Sequence, residues 1–382
     1  MERKQICADY CLNVIRAVMQ EQTVPVIPQQ ISLAELYAFS KLHSVETLVF
    51  QGISQLEIDM TSSMWQDWEN RVQMLLTQSV VQLSERDDLF TRLTEAGMDI
   101  LPVKGCWLKE LYPQIDFRQM SDLDMLIHEK DRKLAGKLMQ ELGYREDRDD
   151  EGGFHHDAYV KKPYMAVELH FQLLPPENEH CDYYSDIWDK ACPVEGSSSL
   201  KRLRSEDEYI YYLLHMKEHL DGAGCGIRLV LDSVVYRDAY PNMNRTYLEQ
   251  ECRSLGVWDY LQQVETIADC WFRTGNAIPE NLWPMAEKIL QAGTYGLLEN
   301  CVQQRMEELK KRYKNPLILQ IIYWSSRLFR PRKEMEHHFP ILKKLPILLP
   351  ICWIARIVKK CVHKPKELLY HVREIYRGTK HG

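Results

Sequence analysis

Two carboxylates spaced two residues apart are the most reactive-looking feature of this 382-residue chain. In Met120-Ser121-Asp122-Leu123-Asp124-Met125-Leu126-Ile127 a polar–apolar alternation runs into an apolar triplet, the pattern of a β-strand. Strand side chains alternate between faces, so Asp122 and Asp124 share one side while Leu123 turns into the core. Carboxylates this close repel one another and resist desolvation; a cation offsets both, and their hard oxygens suit Mg²⁺. The competing reading is a solvated polar strand face, or a turn signal at Ser121-Asp122. A second constellation lies in Ala166-Val167-Glu168-Leu169-His170-Phe171-Gln172-Leu173. There Glu168 and His170 fall on one strand face, with Val167, Leu169 and Phe171 on the other. A third carboxylate on a nearby strand is what a two-metal site needs. His170 is placed to orient Glu168 or to bond a neighbouring strand.

Cations for a phosphate come from two further places. Ile100-Leu101-Pro102-Val103 reads as a strand ending in Lys104-Gly105-Cys106, with a helix expected over Trp107 to Leu111. A strand, a glycine turn and a helix start expose N–H groups to a phosphate, with the Lys104 ammonium beside them. Arg118 is the other cation, for phosphate or for pairing with Asp116 or with the carboxylates. A rival motif, His215-Met216-Lys217-Glu218-His219, fits the H-x-x-E-H pattern of a zinc hydrolase. It would need a third ligand downstream, such as Glu280, Glu287 or Glu299. His43 reads as a hydrogen-bonded or surface histidine.

The elements that must position these groups are legible in outline. Residues 1–94 read as helical: Ser32-Leu33-Ala34-Glu35 is a capping box, and apolar residues from Trp65 to Leu93 recur at three and four. Residues 95–200 hold the strands: 100–103, the Asp122/Asp124 strand, His156 to Lys161, and Met165 to Leu173 after a turn at Lys162-Pro163-Tyr164. Lys130 to Leu142 is an amphipathic helix that Gly143 stops. Residues 174–200 read as a polar connection. Residues 201–315 turn helical again, with Arg228 and Asp232 one turn apart on a helix from Ile227 to Tyr240. Residues 316–382 form a basic, apolar terminal segment. The fold class expected is α+β, a small mixed sheet flanked by N-terminal and C-terminal helical regions.

Composition restricts the setting. The 11 cysteines are scattered, none in a C-x-x-C pair, and no secretory signal opens the chain, so a reducing cytoplasm is expected. The net charge of −7 hides an asymmetry: residues 309–382 carry 18 lysines and arginines against 4 glutamates, +14, which leaves −21 for the rest. Such a tail suits an anionic partner or a membrane surface, or packs on the acidic body. Within it Leu345 to Val358 is a 14-residue, mostly apolar stretch that holds Pro346 and Pro350, too short for a transmembrane helix. It suits an interfacial helix or a buried terminal one.

Taken together, Val103-Lys104-Gly105, Leu111-Tyr112-Pro113, Arg118, the Asp122/Asp124 pair, Leu142-Gly143-Tyr144 and Val167-Glu168-Leu169-His170 resemble an uncharacterised bacterial nucleotidyltransferase family. That family belongs to the DNA polymerase beta-like nucleotidyltransferase superfamily, and the resemblance is strongest over residues 95 to 175. It implies a nucleotidyltransferase core in which Asp122, Asp124 and Glu168 hold two Mg²⁺ ions and carry catalysis. It also implies that Lys104, Gly105, Arg118, Ser121 and His170 face the substrate. The donor would be a nucleoside triphosphate, ATP among them, and the acceptor an unidentified hydroxyl on a small molecule, an RNA or a protein. The superfamily's usual Gly-Ser pair is Gly105-Cys106 here, which loses a strong hydroxyl donor, and the gap to Asp122 is longer. The alternative is a catalytically degenerate nucleotide- or partner-binding protein of the same fold.

Overall fold

The alternation at residues 122–127 and 165–170 builds neighbouring strands of one sheet. The computed structural model describes residues 2–147, 155–175 and 178–294, and then 309, 313, 315–332, 335–336 and 339–363. Helices α1 (Glu2–Met19), α2 (Leu33–Leu42), α3 (Glu46–Ile53) and α4 (Ser63–Glu95) come first. The sheet comprises β1 (Ile100–Val103), β2 (Leu123–Ile127), β3 (Arg145–Glu146), β4 (His156–Lys161) and β5 (Met165–His170), in the order β1-β2-β5-β4-β3. β2 and β5 run parallel and the other pairs antiparallel, so the sheet is mixed and the fold is α+β. β5 stops at His170, short of the expected Leu173, because the chain bends at Phe171.

The sheet has one apolar and one polar face. Leu123, Met125 and Ile127 of β2 and Met165, Val167 and Leu169 of β5 pack with Leu89, Phe90 and Leu93 of α4. Ala135 and Met139 of α6 (Arg132–Glu141) join them. A buried side chain of this kind contributes about 1.5–3 kcal/mol. A one-residue slip of β2 or β5 would drive Asp124 or Glu168 into that core, so the apolar face fixes the register. The opposite face carries Asp124, Glu168, His170 and His156.

Caps agree with the sequence where the signals were strong. Ser32 Oγ accepts the Glu35 N–H, and Glu35 accepts the Ser32 N–H at 2.8 Å, closing the box at the start of α2. Gly143, at φ +86°, ends α6. The helix expected over Trp107 to Leu111 starts earlier, as α5 (Gly105–Leu108), and tightens into a 3₁₀ turn at Lys109–Leu111. The segment expected as a connection carries regular structure: after α7 (Ile187–Lys190), β6 (Ala191–Pro193) pairs antiparallel with β7 (Lys201–Leu203). Strands of three residues carry too few positions to show a period.

Helices α8 (Ser205–Asp221), α9 (Ile227–Ala239), α10 (Arg245–Ser254), α11 (Trp258–Asp269) and α12 (Trp283–Ala292) follow. α9 is buried from Ile227 to Tyr236, Arg228 and Asp232 included. The chain divides into two compact units, one of Met1–Lys217 with Cys225–Thr294 and one of Glu218–Gly224 with Tyr295–Gly382. The second unit contains helices Pro316–Leu328 and Leu349–His363, with small clusters around Tyr323 and around Cys352. Among the described residues no helix is long and apolar enough to cross a membrane.

Candidate active site

The parallel register of β2 and β5 sets Asp124 opposite Glu168, and the antiparallel register of β1 and β2 sets Val103 opposite Asp124. Lys104, the next residue, therefore leaves β1 beside Asp124, and its Nζ donates to Asp124 Oδ1 at 3.0 Å. His170 Nε2 lies 3.0 Å from the same oxygen and 3.2 Å from Glu168 Oε2. Ser121 Oγ donates to Asp122 Oδ1 at 2.8 Å, and Asp122 sits one residue before β2 begins. Ligand atoms of Asp124, Glu168 and His170 fall within 4.8 Å of one another, a group that leaves Asp122 outside.

Charge is unevenly balanced across these groups. Burial works to raise Asp124, but the Lys104 ammonium and the His170 bond outweigh it and hold the carboxyl well below its usual range. Asp122 is raised instead, by burial and then by repulsion from Asp124 and Glu168, which Lys104 offsets only in part. Burial lowers His170, yet its bonds to Asp124 and Glu168 win and raise it. Three carboxylates of which one is under-compensated form a hard-oxygen set that fits a divalent cation of the Mg²⁺ kind.

Lys104 reaches this place through an unusual backbone. Its φ of 54° and ψ of −121° lie in a region that costs a residue with a side chain about 1–3 kcal/mol. The next residue has no room for a side chain: a Cβ on Gly105 would sit 2.9 Å from Arg118 Nη1 and 3.2 Å from Met120. Cys106, at the position of the superfamily serine, is buried and donates from Sγ to the Asp124 carbonyl at 3.2 Å. Burial pushes its thiol well up, so it stays protonated.

Arg118 pairs with neither Asp116 nor the site carboxylates. Its Nε and Nη2 fork onto Asp232 of α9 at 2.8 and 3.1 Å, and Tyr112 Oη donates to the same carboxylate at 2.6 Å. The fork leaves Nη1 beside Gly105. Lys109 supports the turn from beneath, donating to the Arg118 carbonyl at 2.8 Å and to Ser79 Oγ at 2.9 Å. Burial, with Arg118 next to it, lowers the Lys109 pKa to about 7. From α4, Gln82 Nε2 donates to the carbonyls of Met120 and Tyr164 at 3.0 and 3.2 Å. Arg86 Nη1 holds the Cys106 carbonyl at 2.7 Å.

Asp232, Tyr112, Gln82 and Arg86 were not singled out as site residues from sequence. The available signal was an aspartate inside the largely apolar run from Leu229 to Tyr236. His43 is a structural tie: it accepts the Ile227 N–H on Nδ1 at 3.3 Å and meets the Leu290 carbonyl through Nε2 at 3.2 Å. His215 and His219 lie on α8 and join no ligand group of three among the described residues.

A family model described as an uncharacterised nucleotidyltransferase matches residues 29–273. The chain belongs to this family. The match supports a nucleotidyltransferase-like function, and the matched span takes in the whole constellation from Gln82 to Asp232. No curated protein and no solved structure matches the chain.

Proposed function

We propose that this nucleotidyltransferase moves a nucleoside monophosphate from a nucleoside triphosphate, ATP among the candidates, to a hydroxyl acceptor, in a Mg²⁺-dependent reaction at Asp122, Asp124 and Glu168. The observation that carries the reading is the β2/β5 register, which sets Asp124 against Glu168 while Asp122 stays an under-compensated anion beside them. Two Mg²⁺ ions held by these three carboxylates would neutralise charge on the phosphates and lower the pKa of the acceptor hydroxyl.

The chain's own groups have separable tasks. Glu168, partly exposed and bonded to His170, takes the proton as the acceptor oxygen attacks the α-phosphorus. The new O–P bond forms as the bond to the β-phosphate bridging oxygen breaks, and pyrophosphate leaves with that electron pair. His170 orients Glu168. Gly105 lets the triphosphate approach the backbone, and Arg118 Nη1, Lys104 and Ser121 Oγ are the donors nearest that approach. Asp232 and Tyr112 hold Arg118 in place.

A second reading has one observation in its favour. The Lys104 ammonium already rests on Asp124, as a counter-ion would in a chain that binds nucleotide without turnover. Pyrophosphate release with each nucleotide, Mg²⁺ and cell extract separates the two. Transfer predicts release that Asp122→Asn and Asp124→Asn abolish; nucleotide binding with no release across acceptors identifies the degenerate form. We place the protein in the cytoplasm. The basic terminal segment, with Lys343 and Lys344 next to the exposed Ile347 and Ile351, suits an anionic partner or a membrane surface.

A further inference from the structure

Three histidines meet on the polar face on the side of Glu168 away from Lys104's strand. His156 of β4 and His170 of β5 are register partners, and His155 immediately precedes β4, its carbonyl accepting the Phe171 N–H at 2.7 Å. One ring nitrogen from each lies within 4.8 Å of those from the other two. His156 Nδ1 and His155 Nε2 are 3.2 Å apart, and the ring centroids are separated by 4.7 to 5.6 Å.

We infer that His155, His156 and His170 bind one transition-metal ion of the zinc class, distinct from the hard-cation site at Asp122, Asp124 and Glu168. Imidazole nitrogens are borderline donors that suit Zn²⁺, Ni²⁺, Cu²⁺ or Fe²⁺ over Mg²⁺. Two nitrogens on a tetrahedral zinc, each about 2.0–2.1 Å from the ion, stand about 3.3 Å apart, close to the His155–His156 separation. Small ring rotations close the remaining span.

The hydrogen bonding of the rings points the same way. His170 spends Nε2 on Asp124 and Glu168, while its Nδ1 is buried without a hydrogen-bond partner. A ring with one nitrogen on a carboxylate and the other open is the usual orientation of a metal-bound histidine. A hydrogen bond between His155 and His156 accounts for Nε2 and Nδ1 of that pair and leaves the His170 Nδ1 orphan unexplained. The site shares His170 with the carboxylate group, but it needs no nucleotide chemistry and stands if the transfer reading fails.

The test uses the full chain, stripped with a chelator and titrated with Zn²⁺ in excess Mg²⁺, read by calorimetry and by X-ray absorption at the zinc edge. One zinc per chain is expected, with nitrogen ligands and no displacement by Mg²⁺. His155→Ala and His156→Ala each remove a ligand and should weaken it by about 100-fold or more, beyond what loss of an outer-shell partner costs. Asp122→Asn, the variant in which transfer should fail, should retain zinc, so the two readings fail separately. Thermal melts identify any variant that does not fold, and His155→Gln serves if an alanine variant is lost. No zinc uptake by the parent chain, sulfur-dominated coordination from the cysteines, or unchanged affinity in the folded histidine variants would overturn the proposal.

Discussion

At the scale of single residues, the two aspartates of the D-x-D pair are electrostatically opposite. Asp124 is stabilised as an anion by Lys104 and His170, whereas Asp122 is penalised as one by burial and by its neighbours. Asp122→Asn therefore removes a repulsion and keeps the Ser121 bond; its melting temperature should rise by on the order of 2 °C while transfer is lost. Asp124→Asn strips the anion from a buried lysine and histidine and should cost about 3 kcal/mol, again without transfer. Calorimetric melts beside a transfer assay check both, and equal melting shifts for the two variants would contradict the charge balance. These two residues, with Glu168 and His170, were legible in the sequence because a period of two and a recognisable chemistry coincided. His155 and His156 were not, since adjacent residues of a strand are expected on opposite faces; His155 lies just before β4 begins, which lets its ring join those of His156 and His170.

At the scale of elements, the site is held by parts of the chain far from it in sequence. Asp232 of α9 reaches Arg118 across 114 residues, a pairing that no local pattern encodes. From the sequence alone Asp232 had a partner one helical turn away, Arg228; the fold gives it Arg118 instead. Asp232→Ala would leave the Arg118 guanidinium buried and unpaired, and a loss of about 3–5 kcal/mol in denaturant unfolding is expected. Gln82 and Arg86 continue the buried stripe of α4 between Leu75 and Leu89, polar residues at core-facing positions, and both hold loop carbonyls. Gln82→Ala should cost about 1–3 kcal/mol by leaving those carbonyls unsatisfied, and should slow transfer by loosening Met120 beside Ser121. An unchanged rate would show that α4 only stabilises. Cys106 shows the limit of motif matching: the position matches, but the side chain turns from the turn's mouth to the Asp124 carbonyl.

At the scale of the whole molecule, acid should be the weak side. Burial lowers His43 from an ordinary value of 6.5 to about 4. Between those values the unfolded chain takes a proton that the folded chain refuses, so stability falls as pH falls through this window, by about 3 kcal/mol at most from this group. His43→Gln should be less stable at neutral pH, through its lost ties to Ile227 and Leu290, and show a shallower acid slope; denaturant unfolding at pH 7.5 and 4.5 measures both. The α+β layout followed from the order of periods along the chain, helical, then alternating, then helical again. The pairing of β6 with β7 leaves no pattern in the sequence because its strands are so short. What the sheet is for rests on which phosphorus is attacked. The decisive measurement follows the label from nucleotides carrying radiophosphorus at the α or the γ position, incubated with the protein, Mg²⁺ and cell extract. Nucleotidyl transfer requires α label in a sized product, with none from γ and none in Asp122→Asn. Label arriving from γ alone, or α label persisting in Asp122→Asn, would contradict it.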